Sequence, residues 1–148
     1  MKDCLGCRLS NQEEKVHIIY ENEFVTCILD HAPHHAGHTL ILPKKHKVEV
    51  TEMDEEESLS VMRASQLVAR TIHALYEPNG VTICQNGGIF NELTHYHMHV
   101  IPRNEEADHF GDMFYGHVQV EEPSESLKET HEKMKTYITG LLEQENSK

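Results

Sequence analysis

The run His95-Tyr96-His97-Met98-His99, continuing into Val100-Ile101-Pro102, constrains this chain more than any other stretch. Strict alternation of imidazole with an aromatic or apolar side chain is the period of a β-strand, where every second residue shares a face. A strand over 95–101 would set three imidazoles on one surface at steps of about 6.6 Å. Tyr96, Met98 and Val100 would then turn toward a core. One histidine in a strand is an ordinary polar side chain, but three at period two, ending at a proline, point to chemistry. Such a row can hold a metal, because imidazole suits zinc, copper and iron. It can also supply a nucleophile with helpers, because histidine forms covalent intermediates.

The surrounding pattern gives an α+β chain. Val16 to Tyr20 and Phe24 to Asp30 are short β-rich runs around Glu21-Asn22-Glu23, which reads as a hairpin. Thr39 to Leu42 is a third strand, stopped by Pro43. Thr51 with Asp54 resembles a helix N-cap arrangement. Leu59, Met62, Val68, Ile72 and Leu75 then recur at roughly helical spacing until Glu77-Pro78-Asn79-Gly80. Val81 to Gln85 is a fourth strand. Residues 104–123 show no period and read as loop, and Leu127, Met134, Ile138, Leu141 and Leu142 mark an amphipathic helix from Pro123 onward. The expected architecture is a five-stranded antiparallel sheet with one long helix and a C-terminal helix. The 148 residues are read as a single domain, its core at about 3–103 and the loop and C-terminal helix at 104–148.

Composition narrows the partners. A net charge of −12 with histidines neutral argues against a nucleic-acid polymer, which needs clustered lysine and arginine. No apolar run approaches the ~20 residues that span a membrane, and the N-terminus lacks a secretory h-region, so a cytoplasmic protein is expected. In that setting the four cysteines are thiols or metal ligands rather than disulfides.

The row His95-Tyr96-His97-Met98-His99-Val100-Ile101, followed by Pro102-Arg103, resembles the signature of the histidine triad (HIT) family of nucleotide hydrolases and transferases. Gly37-His38-Thr39-Leu40-Ile41-Leu42-Pro43-Lys44-Lys45-His46 resembles the family's Gly-His, strand, Pro-Lys segment, and the likeness covers about residues 3–103. The resemblance implies a HIT-like sheet paired into a homodimer and a small nucleotide as substrate, with no organic cofactor. It makes His97 the nucleophile on the α-phosphate, its tautomer fixed by the backbone carbonyl of His95, with His99 and His38 as helpers. It assigns Asp30 to the ribose hydroxyls and Asn86 to the phosphate. Phe90, Asn91 and Glu92 stand where many members carry Gly-Gln-Ser/Thr; Asn91 can replace the glutamine as a donor, whereas an inward Glu92 would repel phosphate.

Cys4-Leu5-Gly6-Cys7 is a C-x₂-C pair, which alone is weak evidence for a metal. Bacterial-type relatives complete a structural zinc site with a histidine after the Pro-Lys segment and the first triad histidine. The resemblance therefore implies Cys4, Cys7, His46 and His95. His31, His34 and His35 are rival ligands or a solvated loop, and Cys27 and Cys84 read as buried small hydrophobes. Two further readings stand beside the covalent one. In the first, a metal-dependent hydrolase uses the histidine row as zinc ligands. In the second, a nucleotide-binding regulatory protein has no turnover.

Overall fold

In the computed structural model, which describes residues 3–113 and 120–147, five antiparallel strands run β1 (Ile18–Glu21), β2 (Val25–Leu29), β3 (Thr39–Pro43), β4 (Gly80–Cys84) and β5 (Met98–Arg103). Their spatial order is β1-β2-β3-β5-β4. The hairpin turn between β1 and β2 is closed by Asn22, whose Oδ1 accepts from the backbone N–H groups of Phe24 and Val25, both at 2.9 Å. The helices are α1 (Leu5–Ser10), α2 (Glu55–Tyr76) and α3 (Ser124–Asn146).

Every residue of β2 and β3 is buried, so both faces of the sheet are covered at these two strands. On one face Val25, Cys27, Leu29, Ile41 and Val100 pack with Val61, Val68 and Ile72 of α2 and with Leu127, Met134 and Ile138 of α3. On the other, Ile28, Leu40 and Leu42 meet Leu9 of α1, Val16, Ile18 and Leu93. The C-terminal helix thus shares the α2 face. Cys27 is fully buried as expected, while Cys84, at the end of β4, is only partly so.

Several boundaries differ from those the sequence suggests. α1 has no counterpart in the sequence pattern; its N-cap is Cys4, whose sulfur accepts the N–H of Cys7. Thr51 is not the cap of α2 but lies in a single 3₁₀ turn, Val50–Glu52. Asp54 caps instead, in a reciprocal box: Glu57 N–H to Asp54 Oδ1 at 2.8 Å and Asp54 N–H to Glu57 Oε2 at 3.0 Å. The buried stripe of α2 is Val61, Ala64, Leu67, Val68 and Ile72, whereas Leu59 and Met62 are 47% and 52% exposed. β5 begins at Met98, so His95 and His97 precede it, and it runs through Pro102 rather than ending there. Pro102 lies beyond the β3 pairing, which ends at Val100, and borders β4 alone through Val81. Of the expected 104–123 loop, Phe110–Met113 forms a 3₁₀ turn, and 114–119 fall outside the described residues.

Candidate active site and thiol cluster

Strand parity decides which side chains meet. His99 pairs with Leu40, so the two share the face that α1 covers, and His38, just before β3 and two residues from Leu40, joins them. Tyr96 and Val100 are buried in the core on the α2 face and Met98 packs against it, as the alternation requires. Gly37 makes the turn into β3 at φ +98°, and a Cβ there would come within 3.0 Å of the Tyr76 ring.

A directed chain of hydrogen bonds orders this face. The His34 backbone N–H donates to His38 Nδ1 at 3.0 Å. His38 Nδ1 is therefore an acceptor, and its proton sits on Nε2, 2.9 Å from His99 Nδ1. His99 in turn must carry its own proton on Nε2. Burial is the main force pushing both imidazoles down to about 4, against the partial support of Asp30, so both are neutral near pH 7. The His97 ring lies beside His99, centroids 4.9 Å apart, and its Nδ1 donates to the His95 carbonyl at 2.9 Å. A carbonyl only accepts, so neutral His97 has its bare lone pair on Nε2.

Asp30 stands at the end of β2 with Oδ1 accepting the Ala32 N–H at 2.9 Å and Oδ2 3.5 Å from His38 Nε2. Asn86 is exposed after β4, and Glu92 is exposed as well. Asn91 is buried: its Nδ2 donates to the Val48 carbonyl at 3.2 Å and its Oδ1 accepts from Leu93 N–H at 3.2 Å. Backbone groups thus engage both ends of that amide. The Gly87-Gly88 backbone already meets an anion of the chain itself, since Gly88 N–H donates to Glu49 Oε1 at 2.6 Å.

His95 leaves the row. Thr94 has φ +48°, a left-handed conformation that is costly for a β-branched residue, and it redirects the chain. The His95 imidazole, fully buried, donates from Nε2 to the Pro43 carbonyl at 2.9 Å. Its Nδ1 lies 3.6 Å from Cys4 Sγ and 3.5 Å from Cys7 Sγ, while His46 Nδ1 lies 3.3 Å from Cys7 Sγ. Gly6 makes this approach possible, because a Cβ there would stand 2.2 Å from His95 Cβ. Burial, with Cys4 alongside, pushes the Cys7 thiol up to about 11. One donor atom from each of Cys4, Cys7, His46 and His95 lies within 4.8 Å of the others. Two sulfurs and two imidazole nitrogens, one with its lone pair freed by the Pro43 bond, suit a four-coordinate metal and leave no position open. Among the described residues the donor groupings set His95 with the two thiols and His46, and His99 with Asp30 and His38, rather than the three triad histidines together. Of the rival ligands, His34 and His35 meet Asp108 instead, and His31 Nδ1 lies 3.6 Å from Asp30 Oδ1.

Comparison with known proteins agrees with this arrangement. The HIT domain matches residues 11–106. The Protein hit of Bacillus subtilis is 32% identical over 126 residues, 84% of this chain and 87% of that one. The adenylylsulfatase HINT3 of Arabidopsis thaliana is 29% identical over 105 residues, 70% of this chain but 53% of its own. Among solved structures, a hypothetical histidine triad nucleotide-binding protein from Sulfolobus tokodaii superposes with TM-score 0.78 at 28% identity, covering 93% of each chain. A Zn-bound histidine triad family protein from Mycobacterium smegmatis superposes with TM-score 0.75 at 26% identity, covering 95% and 96%. With its histidine row, its Gly-His strand and its five-stranded sheet all in the family's order, the chain belongs to the HIT family.

Proposed function

We propose that this protein is a nucleotide hydrolase or nucleotidyl transferase that works through a covalent nucleotidyl-phosphohistidine on His97. The observation that carries this is the pair of fixed tautomers, a bare Nε2 on His97 and an Nε2–H on His99 beside it. The His97 lone pair forms a bond to the α-phosphorus, and the bond from phosphorus to the leaving group breaks with its electron pair. The ring keeps its Nδ1–H, so the positive charge that the new N–P bond brings is shared with the His95 carbonyl. His99 donates a hydrogen bond to a phosphoryl or leaving-group oxygen, and His38 orients it. Water then adds to phosphorus, the N–P bond breaks, and a nucleoside monophosphate and a proton leave. Asp30 binds the ribose hydroxyls and Asn86 the phosphate, while Asn91 serves the same site by holding its loop. An exposed Glu92 does not oppose phosphate binding.

Cys4, Cys7, His46 and His95 hold a structural zinc, which the donor set suits and which is in keeping with the Zn-bound mycobacterial relative. Bound there, the metal supplies a cross-link between α1 and the residues leading into β5. The chain forms a homodimer, with β4 as the exposed sheet edge and Ile83 as its exposed apolar residue. Ile83→Lys leaves a monomer in sedimentation if that edge is the seam. No described helix is long and apolar enough to cross a membrane.

The test is a rapid quench with an adenine dinucleotide or an AMP amide labelled in its α-phosphate. Acid-labile, base-stable label on the wild type and none on His97→Ala supports the reading. Hydrolysis that persists without label in either protein sinks it.

A further inference from the structure

A second cluster of donors, outside both sites above, joins two loops far apart in sequence. His34 Nε2 lies 2.6 Å from Asp108 Oδ1, and His35 Nε2 lies 3.0 Å from the same oxygen and 2.8 Å from Oδ2. The far side of the carboxylate is already committed. The Asn104 backbone N–H donates to Oδ2 at 2.6 Å, and Arg103 Nε stands 3.5 Å from it. Arg103 is anchored in turn by Thr82 Oγ1 and the His109 carbonyl. Asp108 is thus a carboxylate fixed by outer partners, with Oδ1 facing both imidazoles and Oδ2 shared between His35 and those partners, which is how ligating carboxylates are supported.

We infer that His34, His35 and Asp108 form a second metal site, for a divalent transition ion such as zinc or cobalt. One donor atom from each lies within 4.8 Å of the others. The side chains are 13%, 25% and 5% exposed, so the carboxylate is sheltered while the histidine side faces solvent. As the ion enters, each imidazole shifts its proton to Nδ1 and bonds the metal through Nε2, and Oδ1 completes three protein ligands. Water fills the remaining position, so this site is open where the thiol cluster is closed. The His34 backbone N–H also holds His38 Nδ1, which puts the ion one peptide from the histidine chain.

The test is equilibrium dialysis of the full chain, its thiol cluster first filled with zinc, against added zinc or cobalt. Wild type is expected to bind a further equivalent, and the cobalt form of that equivalent to lack thiolate charge-transfer absorption. His35→Gln is expected to weaken it by more than about tenfold, the low end of what loss of even an outer partner costs. Asp108→Asn is expected to do the same with an unchanged circular dichroism spectrum. No further equivalent in wild type means the trio is a hydrogen-bonded clamp and overturns the inference. A further equivalent that both variants retain, or one with thiolate absorption, places the ion elsewhere and overturns it too.

Discussion

His95 and His97 stand two residues apart, and a backbone carbonyl holds each ring, yet by opposite nitrogens. Pro43 takes the Nε2–H of His95 and leaves Nδ1 for the thiol cluster; His95 takes the Nδ1–H of His97 and leaves Nε2 bare, with the His99 ring alongside. Residue type does not distinguish the two roles. The position of one carbonyl does, because it decides which lone pair remains. The neighbourhoods then follow: two sulfurs around one free nitrogen, and beside the other ring the neutral His99, itself bonded to His38.

The largest way to break that contrast is at His97. His97→Ala is expected to lower turnover on the order of 10⁴-fold or more while leaving bound metal unchanged, read by steady-state rates beside elemental analysis. Cys7→Ser should do the converse. Metal is lost and Tm falls on the order of 10 °C in calorimetry, as expected when a tight native-state ligand goes, while His97 still takes up label below that Tm. Equal loss of label and metal in both variants would mean that the two histidines act as one site.

Acid sharpens the comparison on the His97 side. Burial holds His38 and His99 at about 4, below the ordinary histidine value near 6.5. As pH drops from about 6.5 toward 4 the unfolded chain binds protons that the folded chain refuses, so stability falls across that window and is level above it. The expected loss is on the order of a few kcal/mol, measured by urea unfolding at pH 7 and pH 4.5. His99→Asn should flatten the slope. The smallest effect belongs to Gly6→Ala. Its methyl must displace α1 from His95, at about 1–3 kcal/mol, lowering Tm by about 2–4 °C per kcal/mol and loosening the metal.

Legibility in the sequence tracked period. The alternation of 95–101 located the core side chains Tyr96, Met98 and Val100 and put His97 and His99 on one face, because those rules act over two residues. It failed at His95, where a left-handed Thr94 turns the chain and no pattern announces it. Helical spacing found α2, yet Leu59 and Met62, which share its period, are exposed, since an apolar residue just off the stripe fits the period nearly as well. The short α1 carried no amphipathic stripe to read. The meeting of His34 and His35 with Asp108 spans 74 and 73 positions and rests on how two loops fold back, which spacing does not encode.

The carbonyl that sets the His97 tautomer belongs to His95, and every amino acid carries one there. Heritable substitution can move this group but cannot delete it. A scan of side chains at position 95 therefore reports on the thiol cluster and stays blind to the tautomer of His97, the nucleophile proposed above. Replacing the Tyr96 amide with an ester, by chemical ligation or an α-hydroxy acid, would weaken that oxygen as an acceptor while keeping every side chain. The same exchange also removes the Tyr96 N–H that donates to the Lys47 carbonyl. A matched ester at Lys47's own carbonyl, made by replacing the Val48 amide, weakens that second contact and removes the Val48 N–H bond to Glu52, while leaving the His95 carbonyl untouched.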